Sequence, residues 1–331
     1  MSKIYLVLLF LITNTAFADL CLKRRGALDI GSGSTKAYAA VVDVCKKKIV
    51  QRLFDQKIPL PFGEAREKNP QGEIPAELTA EASKKIAVLV QAMKDKKIET
   101  VTAVATAAFR IANNGEATAA EIAKIAKIPV KVLTQEEEAE VGAQSALSEV
   151  QIDPQDKRQV IVWDIGGGSM QMWAKEQNKT EIFTGNLASV TFKNRIIREI
   201  QNKDPKTTTS PNPLGPLYTK AVIMAVEDAK VEVPHFFKEK AEKAHWIGIG
   251  GVLALSAQNQ TKEGANELSQ AALEQALKKR STLKDSQIDS DYAATEITNL
   301  ALVLGYMKAL KIQKVETVEA SLVQGWLLSQ P

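Results

Sequence analysis

The chain has 331 residues, of which 45% are hydrophobic and 25% are charged, and its formal net charge is +4. This is the composition of an ordinary globular protein, and the length leaves room for two domains. The modest positive charge permits an anionic substrate. Because only 5% of the residues are aromatic and none interleave with a basic block, we expect no nucleic-acid partner.

The first residues have the pattern of a signal peptide. Lys3 precedes an apolar run over residues 4–12, and Ala16-Phe17-Ala18 fits a small-x-small cleavage site. The run is too short to span a bilayer, although an uncleaved anchor is the alternative. We therefore expect residues 1–18 to be a signal peptide. The mature chain is then exported, periplasmic or secreted, and has no membrane span.

A β-hairpin is predicted over residues 26–44. Its first strand ends at Asp29, and Gly31-Ser32-Gly33-Ser34 forms the turn before a returning strand of alternating residues. Glycine allows a ligand to approach the backbone closely, and successive N–H groups in such a turn form a concave anion site. The turn therefore predicts phosphate binding, although an ordinary hairpin explains a single copy equally well.

Cys21 and Cys45 are the only two cysteines. If the hairpin turn is centred on Gly33, the two cysteines lie directly opposite each other where the strands end. Directly opposed residues have a Cα separation that suits a disulfide, and an oxidising compartment favours its formation. We therefore predict a Cys21–Cys45 disulfide.

The rest of the first half alternates strands and helices. We predict strands over 49–56, 100–105 and 130–133, a loop over 57–75, and helices over 79–96, 106–112 and 117–126. The order β-β-β-α-β-α-β indicates an α/β domain. Arg110 lies one helical turn past a strand end, where α/β sheets bind ligands, and could grip a phosphate. A surface salt bridge is the alternative for this residue.

A second domain is predicted to begin near Thr134. This residue caps a helix that runs to about residue 149, and three glutamates, Glu136 to Glu138, occupy its first turn. One explanation for these glutamates is that they complement the positive end of the helix dipole. We predict domains over residues 19–135 and 136–331.

The glycine-rich hairpin occurs a second time. Asp164 ends an apolar run, and Gly166-Gly167-Gly168-Ser169 forms the turn. Two copies predict two similar domains that face each other across a phosphate. Further strands are predicted over 180–184, 245–249 and 315–318, and further helices over 189–200, 292–310 and 321–328. A loop over 203–216 precedes a helix to about residue 230, and Gly250-Gly251 follows the strand at 245–249 as a third glycine turn.

These segments, in this order, resemble the exopolyphosphatase/guanosine pentaphosphate phosphatase family in its short, two-domain form. The resemblance rests on residues 29–34, 106–110, 135–139, 164–169 and 248–251. It implies an α/β fold of two duplicated actin/hexokinase-like (ribonuclease H-like) domains with a phosphate-binding cleft between them. It also implies a hydrolase that releases terminal phosphate from polyphosphate or a related phosphoanhydride. Many two-domain relatives are dimers, so a homodimer is a further expectation.

The resemblance also implies roles for single residues. Glu138 matches the general base that activates water, and Arg110 matches a phosphate clamp. Asp29 and Asp164 match the carboxylates around a Mg²⁺ site, with Mn²⁺ as the alternative ion. The substrate is expected to contact the glycine turns at Gly31, Ser32, Gly33, Ser34, Gly166, Gly167, Gly168, Ser169, Gly250 and Gly251.

The chain departs from the family pattern at three positions. Gln171 stands where the family has a metal-ordering Glu, Gly33 where Asn is usual, and Val252 where Thr is usual. As a metal-site residue, Gln171 offers one neutral oxygen in place of a charged one, so the site should hold its ion more weakly. The alternative function is a weakly active or inactive phosphate-binding protein. A kinase is disfavoured because ATP is scarce outside the cytoplasm.

Overall fold

The computed structural model describes residues 21–150, 152, 156, 158–177, 179–261 and 266–330. The predicted signal peptide therefore lies outside the described residues. Within these ranges, no helix combines the length and the apolar character that crossing a membrane requires.

A five-stranded mixed sheet organises the first half of the chain. Its strands are β1 (Leu22–Ile30), β2 (Ser34–Asp43), β3 (Lys48–Pro59), β4 (Thr100–Ala105) and β5 (Val130–Val132). The first three form an antiparallel meander, and β4 and β5 continue the sheet in parallel, in the order β3-β2-β1-β4-β5. All five predicted strands of this half are confirmed.

Within residues 21–150, five helices accompany this sheet. They are α1 (Phe62–Lys68), α2 (Ala76–Asp95), α3 (Ala107–Ile111), α4 (Gly115–Ala126) and α5 (Gln135–Glu149). The predicted loop over 57–75 is wrong in part, because it contains α1 and the end of β3. Phe62 is fully buried and its ring centroid lies 4.9 Å from that of Phe109, so tertiary packing outweighs the proline and glycine signals around it.

A six-stranded mixed sheet organises the second half. Its strands are β6 (Val160–Ile165), β7 (Met170–Glu176), β8 (Lys179–Gly185), β9 (His245–Ile249), β10 (Glu267–Ser269) and β11 (Lys314–Thr317). The order is β10-β11-β9-β6-β7-β8. When the edge strand β10 is left out, the other five strands are arranged as in the first sheet. Strands β6, β7 and β8 form an antiparallel meander, and β9 and β11 continue the sheet in parallel. The predicted duplication and α/β fold class are confirmed.

The helices of the second half surround its sheet. They are α6 (Ser189–Arg195), α7 (Tyr218–Glu232), α8 (His235–Lys240), α9 (Gln258–Thr261), α10 (Gln270–Arg280), α11 (Ala293–Leu310) and α12 (Leu322–Ser329). A π-helical turn at Ile196–Ile200 extends α6, and another at Gly251–Ala257 precedes α9. Short 3-10 turns lie at Gly215–Leu217 and Asp285–Gln287. The sequence analysis missed α8, α10 and β10.

Helices α5 and α12 cross between the two halves. Ala143 and Ala146 of α5 pack in a cluster with Val162 of the second sheet, whereas Val323 and other residues of α12 pack against the first sheet. A Cβ atom on Gly325 of α12 would lie only 2.0 Å from a carbonyl oxygen of α5, so the two helix backbones are in close contact. The last helix thus packs with the first sheet, and the boundary near residue 135 stays a prediction.

The disulfide between Cys21 and Cys45 is present, with a Cα separation of 5.5 Å. The register predicted for its hairpin is wrong by one residue, because Ile30 pairs with Thr35 and the turn is not centred on Gly33. Cys21 therefore faces Val44, whose N–H donates to the Cys21 carbonyl at 2.8 Å. Cys45 reaches its partner from the turn after β2.

Candidate active site

A cleft of about 710 Å³ lies between the two sheets, at the carboxyl ends of β1, β4, β6 and β9. Both predicted phosphate turns line it, together with the third glycine turn. The predicted site residues on its wall are Asp29, Gly31, Ser32, Gly33, Ser34, Glu138, Asp164, Gly166, Gly167, Gly168, Ser169, Gly250 and Gly251. The structure thus brings together segments that are far apart in the sequence.

The two phosphate turns close in the same way. Gly31 N–H donates to the Ser34 carbonyl at 3.0 Å, and Gly166 N–H donates to the Ser169 carbonyl at 2.9 Å. The turns lie against each other, since a Cβ atom on Gly168 would be 2.8 Å from the hydroxyl oxygen of Ser32. Glycine at position 168 therefore allows the two halves of the chain to meet at the floor of the cleft.

Two carboxylates, both partly exposed to the cleft, lie at this floor. Burial raises the pKa of Asp29, and the positive charges of Lys36 and Lys57 oppose that rise. Burial also raises the pKa of Asp164 to about 6, with Lys36 lowering it and Asp29 adding a smaller increase. Burial thus disfavours the charged form of both carboxylates, and a nearby cation would offset this cost.

The absence of a side chain at Gly250 leaves room for the carboxylate of Asp164. Gly250 has a φ of +81°, which side-chain-bearing residues rarely adopt, and a Cβ atom there would lie 2.1 Å from Asp164 Oδ1. The third glycine turn therefore packs directly on the carboxylate of the second hairpin.

Glu138 lies in the first turn of α5. Thr134 caps this helix through a capping box, in which its hydroxyl accepts from Glu137 N–H and Glu137 accepts from Thr134 N–H. Glu138 itself is 7% exposed. Burial raises its pKa to about 7, while Arg110 lowers it and Asp164 raises it by smaller amounts. A carboxylate with such a pKa can accept a proton near neutral pH.

Arg110 pairs with Glu138. Its Nη1 atom lies 2.8 Å from Glu138 Oε2 and donates to the Leu133 carbonyl at 2.8 Å, and its Nη2 atom donates to Ser169 Oγ at 3.4 Å. Glu138 is buried and Arg110 is partly buried, in contrast to the surface salt bridge considered above. Within the described residues, Glu138 Oε2 has this close ion pair but no well-aligned hydrogen bond.

Gln171 lies directly opposite Asp164 in the β6–β7 pair and is 2% exposed. Its Nε2 atom donates to Ser169 Oγ at 2.9 Å, and its Oε1 atom has no hydrogen-bond partner in the described part of the chain. The amide is directed at Ser169, behind the wall of the cleft. A metal contact of Gln171 stays a prediction.

Comparison with known proteins identifies the family. The sequence profile of the Ppx/GppA phosphatase family matches residues 40–330. The chain belongs to the Ppx/GppA family. No curated protein matches it significantly.

Solved Ppx/GppA structures share the fold of this chain. The Aquifex aeolicus family member is 18% identical, with a TM-score of 0.71 over 93% of this chain and 97% of the other. An exopolyphosphatase from Cytophaga hutchinsonii is 17% identical, with a TM-score of 0.70 over 92% of this chain and 96% of the other. The similarity covers both halves of this Ppx/GppA chain.

The cleft of this Ppx/GppA protein is also lined by positively charged side chains that the sequence analysis missed. Lys36, Lys57 and Lys193 all line it. Lys36 lies two residues after Ser34 in the first hairpin, as Gln171 lies two residues after Ser169 in the second. Comparison of the two hairpins could therefore have found Lys36. Lys57 Nζ lies 4.5 Å from the ring centroid of Tyr292, a contact across the cleft.

Proposed function

We propose that this Ppx/GppA protein is a hydrolase that releases terminal phosphate from polyphosphate or a related phosphoanhydride. The observation that carries this proposal is the buried carboxylate of Glu138, with a pKa of about 7, on the wall of a cleft between two phosphate turns. A water oxygen attacks the terminal phosphorus, and Glu138 accepts its proton. The bond from that phosphorus to the bridging oxygen breaks, and the shortened phosphate chain leaves.

The remaining residues of the cleft bind and orient the substrate in this proposal. The backbone N–H groups of the two glycine turns hold the phosphate oxygens, and the lysines around the cleft offset their charge. Arg110 would reach the terminal phosphate from beside Glu138, because its guanidinium already contacts both Glu138 and Ser169. Placing the clamp next to the base aligns the phosphate with the attacking water.

The residues at the floor of the cleft fit a Mg²⁺ ion, or Mn²⁺ in its place. Asp29 and Asp164 offer hard oxygen ligands, and burial makes their negative charges costly unless a cation is near. In this proposal Gln171 Oε1, which has no hydrogen-bond partner among the described residues, would add one neutral oxygen to this set. A bound ion would neutralise part of the negative charge of the phosphate.

The proposed site of action is outside the cytoplasm, in the periplasm or after secretion. The signal-peptide pattern and the Cys21–Cys45 disulfide support this proposal. A substrate available there, such as short polyphosphate, fits better than a cytosolic nucleotide. A homodimer stays a prediction.

A phosphate-binding protein with little turnover is the second candidate. It is favoured by Gln171, which brings no negative charge to the metal site and instead hydrogen-bonds to Ser169. Such a protein would bind polyphosphate in the same cleft and release phosphate very slowly.

Phosphate release from purified polyphosphate, with Mg²⁺ or with EDTA, separates the two candidates. The hydrolase proposal predicts release that requires the metal ion and is far slower with a phosphate monoester, which lacks the anhydride bond. Tight binding of polyphosphate without release under any metal condition would instead support the binding protein.

A further inference from the structure

Four side chains form a continuous polar chain behind the second phosphate turn. Gln171 Nε2 donates to Ser169 Oγ at 2.9 Å, Arg110 Nη2 donates to the same oxygen at 3.4 Å, and Arg110 Nη1 lies 2.8 Å from Glu138 Oε2. Gln171 and Ser169 are 2% and 3% exposed, so water does not readily compete for these contacts.

The contacts at Ser169 determine where its hydroxyl hydrogen can go. A serine hydroxyl has one hydrogen to donate and two lone pairs that accept. Here Gln171 and Arg110 both donate to this oxygen, Arg110 over the longer distance. The hydrogen of Ser169 is therefore left for a further acceptor, and Ser169 lines the cleft.

We propose that Gln171 is a positioning residue that makes Ser169 a hydrogen-bond donor to the phosphate in the cleft and steadies Arg110 beside it. This inference rests on the proposed phosphate ligand. It gives Gln171 a role that needs no metal ion, since the amide acts through its nitrogen and Ser169.

A carboxylate at position 171 would reverse this arrangement. Glutamate has no hydrogen to donate when ionised, so it would accept the hydrogen of Ser169 and turn it away from the ligand. It would also add a negative charge next to Asp164, which its strand position faces directly. Both effects weaken the binding of an anion in the absence of metal.

The test is calorimetric titration of tripolyphosphate into the whole protein in EDTA. Ser169→Ala should weaken binding roughly tenfold, the usual effect of losing one hydrogen bond to a charged group. Gln171→Leu, which keeps the volume but removes the amide, should weaken it by a smaller factor, and Gln171→Glu by a larger one. In the Ser169→Ala background, Gln171→Leu should have almost no further effect.

Controls separate this role from simple packing. Met172→Leu changes the neighbouring buried residue, which points to the opposite face of the strand, and should leave the affinity unchanged. Gln171→Asn is the second variant if Gln171→Leu does not fold, because its shorter amide does not reach Ser169. It should weaken binding as Gln171→Leu does.

Several results would overturn the inference. These are an unchanged affinity in Gln171→Leu or Gln171→Asn, an effect that persists undiminished without the Ser169 hydroxyl, or tighter binding by Gln171→Glu in EDTA. Absence of binding by the unaltered protein would overturn it as well. Binding that follows the expected order, without phosphate release in Mg²⁺, would refute the hydrolase proposal and leave this inference standing.

Discussion

Arg110 Nη1 lies 2.8 Å from Glu138 Oε2, and both side chains are largely removed from solvent. Arg110 follows β4 of the first sheet, whereas Glu138 belongs to a helix that packs on the second sheet. The proposed base and the proposed clamp are therefore held together at the place where the two halves of the chain meet.

Replacing Arg110 should change both the affinity and the pH dependence of phosphate release. Its positive charge lowers the pKa of Glu138, so Arg110→Ala should raise that pKa above about 7 and move the acid limb of the kcat profile to higher pH. KM should increase as well, and kcat/KM should fall on the order of 10²-fold. Arg110→Lys keeps the charge and should shift the profile less. An acid limb and a KM that stay unchanged in Arg110→Ala would contradict the clamp.

Glu138 should make the stability of the protein depend on pH. Its pKa is raised from 4.5 to about 7, so the folded state binds a proton more tightly than the unfolded state does. The resulting stabilisation is fully present below pH 4.5 and is lost as pH rises to about 7, with an upper limit of about 3 kcal/mol. Urea unfolding at several pH values should show a steeper decline for the unaltered protein than for Glu138→Gln. Parallel curves would exclude the raised pKa.

Gly250→Ala should destabilise the protein, because the added methyl group meets Asp164 Oδ1 and φ is +81°. A cost of about 2 kcal/mol or more is expected from clash and backbone strain together. Gly251→Ala is the matched control, since among the described residues nothing lies within 4 Å of its Cβ position. Thermal unfolding of both variants measures the difference. Equal melting temperatures would mean that Asp164 moves aside without cost.

Removing the disulfide should lower stability without altering the cleft. Cys21 and Cys45 are 24 residues apart, and a loop of this size contributes about 3 kcal/mol in the chain-entropy model. Replacing both cysteines with serine should lower the melting temperature, and the unaltered protein should melt at the same lower temperature after reduction. A reductant that leaves the melting temperature of the unaltered protein unchanged would show that the bond does not stabilise the hairpin.

Local signals made much of the fold predictable. The two Asp–glycine hairpins are recognisable because the strand alternation, the turn residues and the carboxylate all lie within a short stretch. The buried positions Ile86, Leu89 and Met93 of α2 were visible as a helical repeat. The hairpin register was missed by one residue, since the sequence does not fix where a four-residue turn begins.

Long-range packing explains what the sequence did not reveal. Helix α1 is stabilised by the burial of Phe62 against Phe109. Helix α12 packs on the first sheet, whose strands lie far from it in the sequence. The ion pair of Arg110 with Glu138 likewise arises only when the halves meet, whereas Gln171 and Ser169 are neighbours within one hairpin. The sequence predicted the glycine turns and carboxylates that line the cleft but not its lysines, and the contacts among these residues required the structure.

Phosphate release by Glu138→Gln tests the central proposal most directly. The change removes the proton acceptor with little change of shape, so the rate with polyphosphate and Mg²⁺ should fall on the order of 10²–10⁴-fold while tripolyphosphate affinity in EDTA stays within a few-fold. Unaltered turnover in Glu138→Gln would contradict the assignment of Glu138 as the base.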